Sequence, residues 1–174
     1  APVRTVDVVV IGGGPGGEAS AAHLARAGSS VVLVERELVG GECPYWGCMP
    51  SKALLRPAQV LDEARRTPGV TERLERGGPD HEAVLHRRDE VVRNLDDASH
   101  TQRMERLGIE IVRGHGRLDG ERRVVVTCND GSTATFEATC AVIAAPGTRA
   151  SLPPIDGLAD AQPWTNREAT LATE

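Results

Sequence analysis

Two of the four cysteines and the only lysine lie in one short stretch, residues 39–55, VGGECPYWGCMPSKALL. Cys43 and Cys48 are five residues apart, and Lys52 follows Cys48 by one helical turn. Two cysteines at this spacing could form a structural staple, bind a metal ion or exchange electrons as a redox pair. Each kind of site makes a different demand on the surrounding sequence.

The sequence favours the redox pair. A tetrahedral metal site needs further His or Cys ligands at close spacing, and the surrounding residues supply none. A disulfide that closes so short a loop contributes only about 2 kcal/mol in the chain-entropy model, which is little for a staple. Because residues five apart in a regular helix point about 140° away from each other, we expect Cys43 in irregular backbone at or before the first helical turn. Cys48 would then lie in the first turns, where the helix dipole favours a thiolate.

A second chemical motif precedes this stretch. Gly12-x-Gly14-x-x-Gly17 follows a predicted strand over 6–11 and opens an Ala-rich helix that ends at Gly28. The next predicted strand, 31–35, ends in Glu35. The glycines permit a tight turn, close approach of a pyrophosphate and close packing of helix on strand, and the acid can accept hydrogen bonds from a ribose. The motif in this βαβ context predicts dinucleotide binding.

The remaining elements complete an α/β fold, Rossmann-like, with a parallel sheet, long helices and a small antiparallel meander. Cys128 and Cys140 are expected on strands, as buried inert thiols. The predicted elements are a helix over 44–66 bent by Pro50 and Pro57, a polar linker at 67–79, a charged helix over 80–107 with Val84, Val91, Leu95 and Ala98 buried, a strand at 109–113, a meander over 116–138 turning at Asp119-Gly120 and Asp130-Gly131, a strand at 140–145, and a loop-like tail at 150–174.

Composition excludes two classes of partner. The net charge of −5 offers no basic face for nucleic acid. No apolar run approaches the 18 residues or so of a membrane span. We therefore expect a soluble, cytoplasmic protein, with no nucleic-acid or membrane partner. In that compartment stable disulfides are rare, which again favours redox chemistry for Cys43 and Cys48.

The motif GGECPYWGCMPSK resembles the redox-active motif of the class I pyridine nucleotide-disulfide oxidoreductases, which include dihydrolipoamide dehydrogenase, glutathione reductase and mercuric reductase. The resemblance implies bound FAD, with Cys48 as the flavin-side sulfur, Cys43 as the exposed thiol that attacks the substrate, and Lys52 beside the flavin ring. These three residues are the implied catalytic set. The implied cofactor-binding residues are Gly12, Gly14, Pro15, Gly17, Glu35, Arg36, Gly41, Glu42, Cys48, Lys52, His115, Gly116, Ala145 and Gly147.

The chain departs from the family pattern at three places. Glu42 stands where the family often has Thr, and Tyr45-Trp46 replaces smaller residues. Trp46 has two interpretations, core packing and shaping of the substrate mouth. CAVIAAPGT, residues 140–148, resembles the strand that ends in A-T-G in the family. Pro146 takes the Thr position there and removes a backbone amide and a hydroxyl.

The resemblance covers the whole chain but only the first part of a family sequence. It predicts the N-terminal part of an FAD-binding domain over 1–149 and a segment over 150–174 that connects to an NAD(P)-binding domain. We expect the parent to be a homodimeric, NAD(P)H-dependent, dihydrolipoamide dehydrogenase-like reductase of a small-molecule disulfide, and residues 1–174 alone to show little complete turnover. The alternatives are an FAD-binding fragment without independent activity and a mercuric or low-molecular-weight disulfide reductase.

Overall fold

A computed structural model describes residues 2–74 and 77–173. The chain divides into two compact units, each made of two separate segments. The first unit comprises Ala1–Gly41 and Asp96–Arg149, and the second comprises Glu42–Leu95 and Ala150–Glu174. The predicted linker at 67–79 contains a short 3-10 helix, Thr71–Arg73, and its residues 75–76 lie outside the described residues. The expected domain division at 149/150 stays a prediction.

The first unit is built on a mixed five-stranded sheet whose pairings close into a ring. β1 pairs in parallel with both β2 and β5, and β2 pairs in parallel with β3. β3, β4 and β5 form the antiparallel part, which confirms the predicted meander and both of its Asp-Gly turns. The strands are β1 (Val3–Ile11), β2 (Val31–Glu35), β3 (Glu110–Leu118), β4 (Arg123–Cys128) and β5 (Thr133–Ala144).

Two apolar clusters lie on the two faces of the parallel strands. Val8 and Val10 of β1 pack with Ala21 and Ala22 of the following helix, α1 (Pro15–Arg26). Val9 points the other way and packs with Phe136 and neighbours on β4. All three valines are buried because the side chains of consecutive strand residues alternate between faces that are both covered. The sheet thereby fixes the end of β1, where the glycine motif begins.

The predicted helix over 80–107 is wrong as a single element. The chain forms α4 (His81–Val91) and α5 (Ala98–Glu105), separated by a 3-10 turn, Arg93–Leu95. All three residues of that turn have positive φ, between 50° and 60°, which no α-helix contains. The side chain of Asp96 accepts the backbone N–H of Ala98 at 2.8 Å, so a short acidic side chain replaces helical hydrogen bonding at the break.

The predicted buried stripe of the 80–107 helix is also wrong. Val84, Val91, Leu95 and Ala98 are only half-buried, whereas Val92 and Arg88 are almost completely buried. The positive φ values of residues 93–95 interrupt the helical backbone, so the helical spacing does not carry from α4 into α5. Arg88 is buried because its guanidinium binds backbone carbonyls of the second unit, as described below.

The second unit is helical. It contains α2 (Glu42–Tyr45), α3 (Cys48–Arg65), α4 and α6 (Asn166–Leu171). Pro57 lies inside α3, as predicted for a helix with interruptions. The expectation of a loop-like tail is wrong at α6, which begins with a capping box. Thr165 caps the first turn, and the Glu168 side chain accepts the Thr165 backbone N–H at 2.7 Å.

Candidate functional site

The glycine motif of the first unit forms a tight, crowded turn at the end of β1. Gly12 has φ +103°, and a Cβ there would lie 2.1 Å from the carbonyl oxygen of Ala145. A Cβ on Gly17 would lie 1.8 Å from the carbonyl oxygen of Gly12. Neither position accepts any side chain, because real Cβ atoms essentially never come within 3.0 Å of another heavy atom. These contacts explain two of the three motif glycines by packing within the protein.

Gly14 has a different environment. A Cβ added to Gly14 would meet only the Cα of Gly41, at an ordinary 3.9 Å. Gly14 is also the N-cap of α1, Pro15 is the first helical residue, and no side chain caps this helix start among the described residues. The backbone N–H groups of the first turn therefore present the positive end of the helix dipole, which suits an anion. Packing inside the protein therefore gives no reason for glycine at Gly14.

Glu35 lies at the end of β2 and binds backbone amides. Its Oε2 accepts the N–H of Gly13 at 2.7 Å, and its Oε1 accepts the N–H of Glu37 at 2.7 Å. The carboxylate thus fixes the glycine turn as well as ending the strand. Gly13 was missed as a site residue, although its position opposite Glu35 follows from the parallel pairing of β1 and β2.

A cleft of about 250 Å³ opens beside this turn in the first unit. Of the residues predicted to bind cofactor, it brings together Gly12, Glu35, Arg36, His115, Gly116 and Gly147. His115 and Gly116 lie within β3. The sequence reasoning missed Thr148 and Arg149, which line the same cleft. The signal for them was their place directly after the strand that ends beside Gly12.

The cysteine pair belongs to the second unit and spans a break between two helices. Cys43 lies in the one-turn helix α2, and Cys48 is the first residue of α3. As predicted, the two cysteines do not share one regular helix. The expectation of irregular backbone at Cys43 is wrong, because Cys43 lies in the short helix α2. Gly47 forms the break, and a Cβ there would lie 3.2 Å from the carbonyl oxygen of Glu42. Glycine thus lets the two short segments approach each other.

Cys43 and Cys48 interact electrostatically across the helix break. Both are free thiols here, and Cys43 is half-buried whereas Cys48 is exposed, so the expectation that Cys43 is the exposed thiol of the pair is wrong for this structure. The pKa of the Cys43 thiol is raised above its ordinary value, first by a hydrogen bond with the Cys48 side chain and then by burial. The positive charge of Lys52 and the backbone N–H of Cys48 oppose that rise. Cys48 and Lys52 thus both influence the titration of Cys43, and the catalytic roles of the three residues stay a prediction.

The two aromatic residues between the cysteines are buried. Tyr45 and Trp46 are 1% and 8% exposed, and their rings meet edge to face with centroids 5.7 Å apart. This burial agrees with the packing interpretation of Trp46. Glu42, expected near the cofactor, forms an ion pair with Arg167 of α6 in the second unit.

The other two cysteines stand apart from this pair. Cys128 is half-buried on β4, and Cys140 is exposed on β5. The expectation that both are buried is therefore wrong. Cys140 lies at a register shift between β1 and β5, where Val6 pairs with Ala138 and Val8 pairs with Ala141, and the regular alternation of buried and exposed residues is lost there.

Residues 2–74 and 77–173 contain no group of three or more His, Cys, Asp or Glu side chains that could hold a metal ion. No helix in this part of the chain is long and apolar enough to cross a membrane.

The chain is similar in sequence to dihydrolipoyl dehydrogenases and mercuric reductases. The dihydrolipoyl dehydrogenase of Chlorobaculum parvum is 38% identical over 139 residues, which cover 79% of this chain and 29% of that protein. The mercuric reductase of Streptomyces lividans is 37% identical over 155 residues, covering 87% of this chain and 32% of that protein. The chain thus spans about a third of the length of these relatives.

The fold agrees with a solved structure. A cysteine-to-serine variant of the HOCl-induced flavoprotein disulfide reductase RclA from Escherichia coli, in complex with Cu(II), superposes with a TM-score of 0.73 and 22% identity. The match covers 91% of this chain and 32% of that one. Residues 6–173 match the pyridine nucleotide-disulphide oxidoreductase family along their whole length, and the chain belongs to that family.

Proposed function

We propose that this chain is the FAD-binding portion, with a redox-active cysteine pair, of an NAD(P)H-dependent disulfide oxidoreductase. One observation carries the proposal. Cys43 and Cys48, five residues apart, lie on either side of a helix break, and both the Cys48 side chain and Lys52 act on the pKa of the Cys43 thiol. A disulfide would form between them once their Cβ atoms lie about 3.8 Å apart.

The first unit offers the residues that would hold FAD. The pyrophosphate would bind the uncapped start of α1 at Gly14, where the protein leaves room for close approach. The adenosine would occupy the cleft lined by Arg36, His115 and Gly116. Glu35 would accept hydrogen bonds from the ribose, since each of its oxygens uses one lone pair on a backbone amide and keeps another. When bound, the flavin supplies two-electron transfer between a reduced nicotinamide and the cysteine pair.

The cysteines would carry out two exchange steps. The thiolate of Cys43 attacks one sulfur of the substrate disulfide, forming a mixed disulfide and releasing one substrate thiol. Cys48 then attacks the Cys43 sulfur, which breaks the mixed disulfide and releases the second substrate thiol. Two electrons and two protons pass to the substrate, and the cysteines become the Cys43–Cys48 disulfide. Lys52 favours the thiolate at the start of this sequence because its charge lowers the pKa of Cys43.

The substrate class would be a small-molecule disulfide, as expected from the sequence. The first four relatives are dihydrolipoyl dehydrogenases, at 33–38% identity. A lipoamide-type disulfide therefore has the most support. The 37% identity to a mercuric reductase keeps Hg(II) reduction as the second candidate. A homodimeric parent remains part of the proposal.

The flavin half of the proposal is tested with Gly14→Ala. The new methyl group meets only Gly41 at 3.9 Å, so the variant should fold normally, yet it would occupy the space that the pyrophosphate needs. We expect FAD affinity, measured by quenching of flavin fluorescence, to fall about tenfold, because the close contact between the backbone and the pyrophosphate is lost. Gly16→Ala is the matched control because nothing lies within 4 Å of its Cβ. Equal FAD affinity in both variants would contradict the proposed cradle.

The sulfur half is tested without the cofactor. The chain is equilibrated in glutathione buffers of graded redox ratio, the remaining thiols are alkylated, and the products are read by peptide mass spectrometry. We expect a Cys43–Cys48 disulfide to form as the buffer becomes oxidising, with Cys128 and Cys140 left as separate thiols. Failure of Cys43 and Cys48 to pair at any ratio would overturn the redox function.

A further inference from the structure

One side of the cysteine pair is bound by a helix that lies about 120 residues later in the sequence. We define the redox turn as residues 42–47, which carry Cys43 and lead to Cys48. Asn166, Arg167 and Thr170 of α6 all bind this turn. The redox turn and α6 both belong to the second unit. The contacts fall on Glu42, which directly precedes Cys43, and on Trp46, which follows it by three residues.

Glu42 is held by two side chains of α6. Its Oε1 accepts a hydrogen bond from Arg167 Nε at 2.9 Å, and a second Arg167 nitrogen binds the same oxygen. Its Oε2 accepts a hydrogen bond from Asn166 Nδ2 at 3.2 Å. Both oxygens of the carboxylate are thus engaged. Glu42 directly precedes Cys43, so these contacts restrain the backbone at the residue before the thiol.

Trp46 is held at both its backbone and its ring. Its carbonyl oxygen accepts hydrogen bonds from Asn166 Nδ2 at 3.0 Å and from Thr170 Oγ1 at 3.2 Å. The Arg167 guanidinium lies over the indole ring, 4.0 Å from its centroid, in a cation–π contact. Since Trp46 precedes the Gly47 break, these contacts restrain the far side of the turn.

The helix that makes these contacts is itself anchored. Arg88 of α4, only 2% exposed, donates to the carbonyl oxygens of Thr170 at 2.6 Å and Ala172 at 3.0 Å. A cation at this end of α6 satisfies carbonyl groups that a helix leaves without intrahelical partners. The capping box of Thr165 and Glu168 fixes the other end. A six-residue helix would not persist on its own, so the structure holds it from both ends.

We propose that α6 is a positioning element for the cysteine pair, with Arg167 and Asn166 as its positioning residues. This inference rests on the proposed redox function. Without these contacts the redox turn gains conformational freedom, and Cys43 spends less time close to Cys48. The disulfide form gains less conformational freedom than the dithiol form, because its covalent bond already restrains the turn. Removing the contacts therefore favours the dithiol, so the pair becomes a stronger oxidant.

The test compares Arg167→Ala with the intact chain in the glutathione equilibrium. The Glu42–Arg167 pair is partly exposed, with side chains 40% and 34% accessible, so its effect is that of a screened pair. We expect the equilibrium constant for forming the Cys43–Cys48 disulfide to fall roughly two- to fivefold, which shifts the reduction potential upward by about 9 to 21 mV. Arg167→Lys keeps the charge and a shorter reach, and it should restore part of the shift.

Arg66→Ala is the matched control. It removes one arginine and one exposed ion pair, Arg66–Asp62 at 3.0 Å, from α3 in the same unit without touching the redox turn. Its disulfide equilibrium should equal that of the intact chain even if its unfolding temperature falls. A shift of equal size in Arg66→Ala would overturn the inference, because it would show a general effect of lost charge or stability.

The outcomes separate the inference from the proposed function. If the intact chain forms no Cys43–Cys48 disulfide, the proposed function fails. If the intact chain forms it and Arg167→Ala forms it with an unchanged equilibrium constant, only the positioning role fails. Should Arg167→Ala not fold, Asn166→Ala is read against the same control. It removes one bond to Glu42 and one to Trp46 and leaves Arg167 in place.

Discussion

Gly17→Ala is predicted to disrupt the start of α1, although alanine is the better helix former. Gly17 is buried, and its new Cβ would lie 1.8 Å from the carbonyl oxygen of Gly12, at least 1.2 Å or so too close. Both contacting groups are backbone, so neither can move aside by changing a rotamer. Overpacking of this kind costs about 1–3 kcal/mol and sometimes more. Moving the helix start outward would also widen the turn that we propose to hold the pyrophosphate.

Gly16→Ala supplies the comparison for this prediction. Gly16 is exposed in the same helix turn, and an added Cβ would meet nothing within 4 Å. Alanine there should stabilise the chain by about 0.4–1 kcal/mol through the unfolded state. The two variants should therefore differ by roughly 1.4–4 kcal/mol in free energy of unfolding, measured by urea denaturation. Equal midpoints for the two variants would refute the claim that packing, rather than helix propensity, requires glycine at residue 17.

Two further predictions concern titrating groups. Cys48→Ala should lower the pKa of Cys43, because the hydrogen bond with the Cys48 side chain is the largest cause of its rise, while Lys52 still favours the thiolate. Iodoacetamide should then alkylate Cys43 faster at neutral pH. An unchanged pH–rate profile of alkylation would contradict this interaction between the two cysteines. Asp7 has its pKa lowered by hydrogen bonds from the backbone and hydroxyl of Ser30 and the hydroxyl of Thr139. The stabilising effect of Asp7 is present above its ordinary pKa of 3.8 and is lost as the pH falls through its lower pKa in the folded chain. Asp7→Asn should therefore flatten the acid side of a plot of unfolding temperature against pH. A plot as steep as that of the intact chain would argue against this role.

The βαβ unit could be predicted from sequence because its signals are local and agree with one another. The strand predicted at 31–35 is β2, and the predicted glycine turn, helix and acid all lie where expected. The buried valines of β1 form an uninterrupted apolar run, and Gly28 ends the helix pattern with φ +94°. Each of these features depends on residues within a few positions of each other.

The break between α4 and α5 could not be predicted in the same way. Apolar residues recur at helical spacing through 84–98, and that spacing is silent about backbone torsion. Arg93, Asn94 and Leu95 adopt positive φ, and of these only Asn is a residue that commonly does so. Asp97 is engaged away from its own helix, since its Oδ2 accepts the N–H of Val39 at 2.7 Å and pairs with Arg113. A contact with residues so distant in sequence determines where α5 begins.

The support of the cysteine pair shows why a motif can be found without the residues that make it work. The spacing of Cys43 and Cys48 is a local signal, and the need for a helix break between them follows from helix geometry alone. Glu42 departs from the family pattern, which often has Thr there, and its partners, Arg167 and Asn166, lie in a tail that was predicted to be loop-like. The capping box at Thr165 was a sequence signal for α6, but nothing local indicates which surface that helix covers. Unusual residues inside a motif are therefore best explained by searching for their charge partner, and here an acid beside the thiol predicts a cation elsewhere in the chain.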